Sequence, residues 1–119
     1  MSTPAKLKKL TIYQGATFRK RLRWKSPAGT PIDLTGATAR MQVRLEKETP
    51  TALVDLTTEN GGITLGGVAG TVDLYLSDAA TAAMRWDAGV WDLEIVHPSG
   101  DVTRLAEGSI GVSKEVTRG

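Results

Sequence analysis

Thr17-Phe18-Arg19-Lys20-Arg21-Leu22-Arg23-Trp24-Lys25 alternates almost without a break. Phe18, Leu22 and Trp24 fall on one side together with Lys20, while Thr17, Arg19, Arg21, Arg23 and Lys25 fall on the other. Period two is what a strand produces, because successive side chains leave opposite faces of the backbone. One apolar face beside one charged face predicts a half-buried antiparallel strand.

The same period recurs on both sides of this stretch. Before it, Leu10 and Ile12 alternate with Lys9, Thr11 and Tyr13 until Gln14-Gly15 breaks the run. After it, Ser26-Pro27-Ala28-Gly29-Thr30-Pro31 reads as a turn, since Pro presets φ and Gly permits positive φ. Ala39, Met41, Val43 and Leu45 then form an inward face against Thr38, Arg40, Gln42 and Arg44. The charged loop Glu46-Lys47-Glu48-Thr49-Pro50 is expected to carry the chain from one sheet to the other. Short strands follow at 52–57, 63–65 and 71–77, separated by the hairpin signals Asn60-Gly61-Gly62 and Gly66-Gly67-Val68-Ala69-Gly70. Ser77 and Asp78 open a helix of one or two turns through Ala79–Met84, with Ser77 as N-cap. The last third is a hairpin. Trp91, Leu93 and Ile95 face in, Asp92 and Glu94 face out, Pro98-Ser99-Gly100-Asp101 turns, and Gly108 marks a bulge or bend before Ile110 and Val112.

About seven to eight short strands with turns every ~8–12 residues predict an all-β, immunoglobulin-like antiparallel β-sandwich with one short helix. A single domain spans 1–119, with 1–8 and 113–119 as extended arms. A chain of 119 residues fits one domain and can bury one apolar core. With 40% apolar and 24% charged residues it lies far from the disordered class. It holds no cysteine, which removes disulfides and thiolate metal sites. Net charge is +2, too small an excess for a dedicated nucleic-acid binder. The first residues have no apolar run behind them, and no stretch reaches the ~18 apolar residues of a membrane span. Neither nucleic acid nor membrane is an expected partner.

Residues that could carry chemistry are few. The single histidine, His97, precedes Pro98 and reads as an exposed turn residue without converging partners. Asp92 and Glu94 could serve a glycosidase or calcium, but two carboxylates on an outer strand face opposite Arg104 read as a solvated surface. The glycine pairs open no helix and are followed by no Lys-Ser/Thr, so they are turns and not phosphate cradles. No catalytic, cofactor-binding or metal-ligating residue is assigned, and no cofactor is expected. The feature above background is the basic ladder Arg19, Arg21, Arg23 and Lys25, a positive stripe roughly 20 Å long. It is the candidate interface for an anionic partner. The competing reading is an edge strand guarded by charge.

Gly89-Val90-Trp91-Asp92-Leu93-Glu94-Ile95, then Pro98-Ser99-Gly100-Asp101-Val102-Thr103-Arg104-Leu105 and Glu107-Gly108, together with Ile32-Asp33-Leu34-Thr35-Gly36-Ala37 and Met41-Gln42-Val43-Arg44, carry a resemblance. Over about Leu10 to Val112 the chain resembles small bacteriophage structural proteins. It is similar to the immunoglobulin-like N-terminal domain of siphophage baseplate upper proteins. The resemblance implies a non-enzymatic tail or baseplate component of the virion. Its implied partners are other phage virion proteins and copies of itself in a symmetric assembly. No coiled-coil or receptor-binding region is expected beyond the domain. That leaves a head decoration protein, or a free-standing carbohydrate- or receptor-binding module using Tyr13, Tyr75 and Trp86, as alternatives.

Overall fold

A computed structural model describes residues 6–117, with the backbone alone for Lys6 and Leu7. The described residues form β1 (Lys6–Tyr13), β2 (Phe18–Arg23), β3 (Thr38–Arg44), β4 (Val54–Thr57), β5 (Ile63–Leu65), β6 (Thr71–Leu76), β7 (Ala88–Val96) and β8 (Val102–Ser113). A 3-10 turn occupies Gly67–Ala69, and helix α1 occupies Asp78–Ala82. One sheet has the order β1-β8-β7-β3-β4 and the other β2-β6-β5. In immunoglobulin lettering these are G-F-C-C′ with the first strand added beside G, and B-E-D. The all-β, immunoglobulin-like sandwich is therefore the fold of this chain.

Alternation builds the core between the sheets. Leu10 and Ile12 of β1, Leu22 of β2, Met41 and Val43 of β3, Val72 and Leu74 of β6, and Trp91, Leu93 and Ile95 of β7 are all buried in one cluster. Burying such side chains supplies the main drive for folding, at roughly 1.5–3 kcal/mol each before entropy is counted. Trp24 is also buried, so the two faces of the Thr17–Lys25 stretch lie as the alternation predicts.

One pairing departs from an all-antiparallel sandwich. β1 and β8 run parallel, with Leu10 opposite Ile110 and Ile12 opposite Val112. These strands come from opposite ends of the chain, so no hairpin dictates their relative sense, and β7 already holds the other edge of β8. Residues 6–8 are thus paired strand and not part of an arm. Residues 1–5, and residues 118–119 of the second expected arm, lie outside the described residues. Within that second arm Ser113 still belongs to β8, and 114–117 leave the sheet. There the Glu115 N–H donates to Gln14 Oε1 at 2.9 Å, and Lys114 Nζ donates to the Trp86 carbonyl at 2.9 Å.

Four further expectations need correction. Leu45 lies past the end of β3 and is half exposed. The Glu46–Pro50 loop joins β3 to β4 inside one sheet. It is held there by Arg44, which donates to the carbonyls of Thr49 at 2.8 Å and Pro50 at 2.7 Å. The crossing falls instead at 58–62, where Asn60 Oδ1 accepts from the N–H groups of Thr57 and Gly62, both at 2.9 Å. The bulge in β8 is at Leu105, not Gly108. Glu94 pairs with Arg104 and Leu93 with Ala106, leaving Leu105 as the extra residue. Finally, His97 is half-buried and not an exposed turn residue. Its ring lies 5.7 Å from that of Trp24, and its Nε2 is 3.0 Å from Thr103 Oγ1.

The helix forms where its signals predict. Ser77 Oγ accepts from the Ala80 N–H at 3.1 Å, and Asp78 sits in the first turn. α1 links β6 to β7 and so crosses between the sheets. Thr81, fully buried, anchors it to the turn after β1. Its hydroxyl accepts from the Gly15 N–H at 3.0 Å and lies 2.9 Å from the Ala16 carbonyl, an acceptor for its proton.

Candidate protein interface

All four residues of the basic ladder are exposed. Arg19, Arg21 and Arg23 project from the outer face of β2, and Lys25 follows in a turn closed by a bridge to Pro31. Two of the four are engaged across the sheet. The Arg19 guanidinium lies 4.8 Å from the centre of the Tyr75 ring. Arg21 grips Asp73 with both arms, Nε to Oδ1 at 2.7 Å and Nη2 to Oδ2 at 3.0 Å. That hydrogen bonding holds the Asp73 carboxyl below the usual carboxylate range and raises the Arg21 pKa. Arg23 stands opposite Thr71, and neither Arg23 nor Lys25 has an ion-pair partner among the described residues.

The ladder is one part of a larger basic side. β1 and β2 lie on neighbouring edges of the two sheets, and Lys8, Lys9 and Lys20 are exposed there as well. A groove of about 230 Å³ runs between them, with Leu22, Trp24, Leu105 and Ala106 as floor and Lys8, Lys20, Arg21 and Arg23 as rim. Lys20 lies on the core side of β2, opposite Leu74. It stays exposed because an edge position lets its long stem cover apolar surface while the ammonium reaches water. The sequence carries a plain signal for this side. Residues 1–32 hold eight lysines and arginines and no carboxylate, while residues 33–119 hold seven cations and thirteen carboxylates. Overall net charge averages the two regions and conceals the contrast.

The outer face of the five-stranded sheet is polar in a different way. A groove of about 600 Å³ is lined by residues such as Gln42, Asp92, Glu94, Arg104 and Glu107. Glu94 pairs with Arg40 at 2.8 Å, and Arg104 lies 3.7 Å from Asp92 and 3.4 Å from Glu107. Charges here satisfy one another. Asp92 has its pKa raised, chiefly by burial and then by the neighbouring Glu94. Among the described residues no group of three or more His, Asp or Glu side chains is placed to hold a metal ion. No helix among them is long and apolar enough to cross a membrane.

The three aromatic residues considered for sugar binding do not share a platform. Tyr13 and Tyr75 each follow a buried residue, Ile12 and Leu74, and so project from the outer faces of opposite sheets. Trp86 packs partly against the core. No protein-family model matches the chain, and no curated protein matches it.

Proposed function

We propose that this chain is a non-enzymatic structural module of a bacteriophage tail or baseplate, working through protein–protein contacts. The observation that carries the reading is the segregation of charge: an immunoglobulin-like sandwich with one side almost purely cationic and its other charged face internally paired. Such a side attracts and orients a carboxylate-rich protein surface. The sandwich is also the fold that the sequence resemblance implies. The groups that a hydrolase would use have other roles here. His97 packs on Trp24 and contacts Thr103, and Asp92 and Glu94 lie beside Arg104 and Arg40. The test is immuno-electron microscopy of phage particles with antibody against this chain. Label on the tail or baseplate is the expected result, and unlabelled particles overturn the reading.

A further inference from the structure

β2 is six residues long and, among the described residues, pairs with β6 alone. In an antiparallel ladder alternate residues turn their N–H and C=O groups away from the partner, so the outer edge of β2 is a template for another strand. The edges on the opposite side of the sandwich are closed or short. On β4, the Asp55 carbonyl accepts from Asn60 Nδ2 and the Thr57 N–H donates to Asn60 Oδ1, both at 2.9 Å. β5 has three residues.

Side chains select what can join β2. Arg19, Arg21 and Arg23 rise on one face of the edge, and Lys20 stands on the other beside the groove shared with Lys8. Two copies meeting edge to edge would set these cations against each other, which opposes self-pairing. A strand bearing carboxylates meets attraction on both faces, while its apolar residues can reach the floor of Leu22, Leu105 and Ala106. Arg21 is engaged by Asp73, whereas Lys8, Lys20 and Arg23, which also rim the groove, form no ion pair among the described residues and are placed to receive those carboxylates.

The geometry points to β2 as a docking edge for an acidic extended segment of a partner protein, added as a fourth strand to the β2-β6-β5 sheet. Backbone hydrogen bonds supply affinity and the cations supply selection, the division of labour general to strand addition. This deepens the assembly role and rests on it only for where the partner is found. The binding itself is measurable on the isolated chain.

The probe is a fluorescein-labelled octapeptide alternating Glu and Val, offered in both registers and followed by anisotropy and by amide exchange of β2. Expected are saturable binding and slowed exchange at β2. A K20E/R23E variant should bind at least about tenfold more weakly. N-methylation of alternate peptide amides should abolish binding in one phase and spare it in the other. Should K20E/R23E fail to fold, K20A/R23A carries the same comparison. The proposal is overturned if neither register binds. It is equally overturned if both methylated forms bind like the parent, if a single-stranded oligonucleotide protects β2 as well as the peptide does, or if the chain dimerises through β2. Labelled virions without peptide binding would retire the docking edge and leave the assembly role. Peptide binding with unlabelled virions would do the reverse.

Discussion

Gly108 shows how one residue can hold two strands together. It lies opposite Lys8 in the parallel pair and opposite Trp91 in the hairpin. A Cβ at this position would collide with the Lys8 backbone carbonyl oxygen. That same oxygen accepts from Trp91 Nε1 at 3.3 Å, a proton shared with the Ser109 carbonyl at 3.1 Å. Gly108→Ala must therefore push β1 off β8 and disturb the indole bond, because backbone cannot give way as a side-chain end can. The expected loss is about 1–3 kcal/mol in urea unfolding, with slowed-exchange amides of β1 lost first. Asp92 tests electrostatics at the same scale. Its folded pKa stands above the ordinary 3.8 because burial disfavours the charged form. Between that value and its raised folded pKa, the native state binds more protons than the unfolded chain. Stability from this group therefore falls as pH rises through the window. Asp92→Asn should flatten the stability profile just above about pH 4 and leave it no lower at neutrality. A profile unchanged from the parent in urea titrations would contradict the assignment.

At the scale of elements, α1 is too short to be stable alone and depends on what it touches. Its five residues are capped by Ser77 and tied by Thr81 to Gly15 and Ala16 in the β1–β2 turn. Thr81→Val keeps the shape and leaves the Gly15 N–H without its acceptor, so a loss of about 1–3 kcal/mol is expected in thermal or urea unfolding. Thr81→Ser, which retains the hydroxyl, should recover much of it. The sequence announces the helix through Ser77 and Asp78, but not this tie, because it links residues 66 positions apart. The same divide runs through the whole fold. Strands and faces are legible wherever period two is clean, as in β2, β3 and β7. What joins them is not. The loop after β3 stays within its sheet because Arg44 reaches its carbonyls, and the crossing moves to Asn60, whose amide satisfies three backbone groups. The Leu105 bulge is also hidden, since Leu105 and Ala106 are both buried and only pairing reveals which one is extra. For the candidate site, alternation identifies Arg19, Arg21, Arg23 and Lys25. Lys8 and Lys20 require knowing that β1 and β2 end up on neighbouring edges.

Across the whole molecule, the first 32 residues and the remainder carry opposite charge, and the fold keeps the contrast by placing the first two strands on one side. A molecule of this kind is oriented by a partner's field before contact, and association so steered weakens with salt as screening shortens to about 8–10 Å. Reversal of Arg19, Arg21 and Arg23 to Glu together tests this directly. The three side chains are exposed and Leu22 beneath them is untouched, so the fold should persist. Position by position the effects differ. Arg19→Glu removes the cation from the Tyr75 ring, and Arg21→Glu sets a carboxylate beside Asp73 and undoes the hydrogen bonding that lowers the Asp73 pKa. That second change has a pH signature of its own. In the parent, the depressed Asp73 pKa contributes stability that is present above 3.8 and lost as pH falls through the folded value. In the triple variant this acid-side loss should diminish, even as stability at neutral pH falls. Circular dichroism should report a folded chain, and anisotropy with the acidic octapeptide should report much weaker binding than the parent's at low salt, with the difference shrinking as salt screens the charges. A triple variant that binds the peptide like the parent would mean that backbone pairing alone governs the edge and that the cations guard it without selecting. One that unfolds would mean that the Arg21–Asp73 pair carries more of the three-stranded sheet than an exposed ion pair normally does.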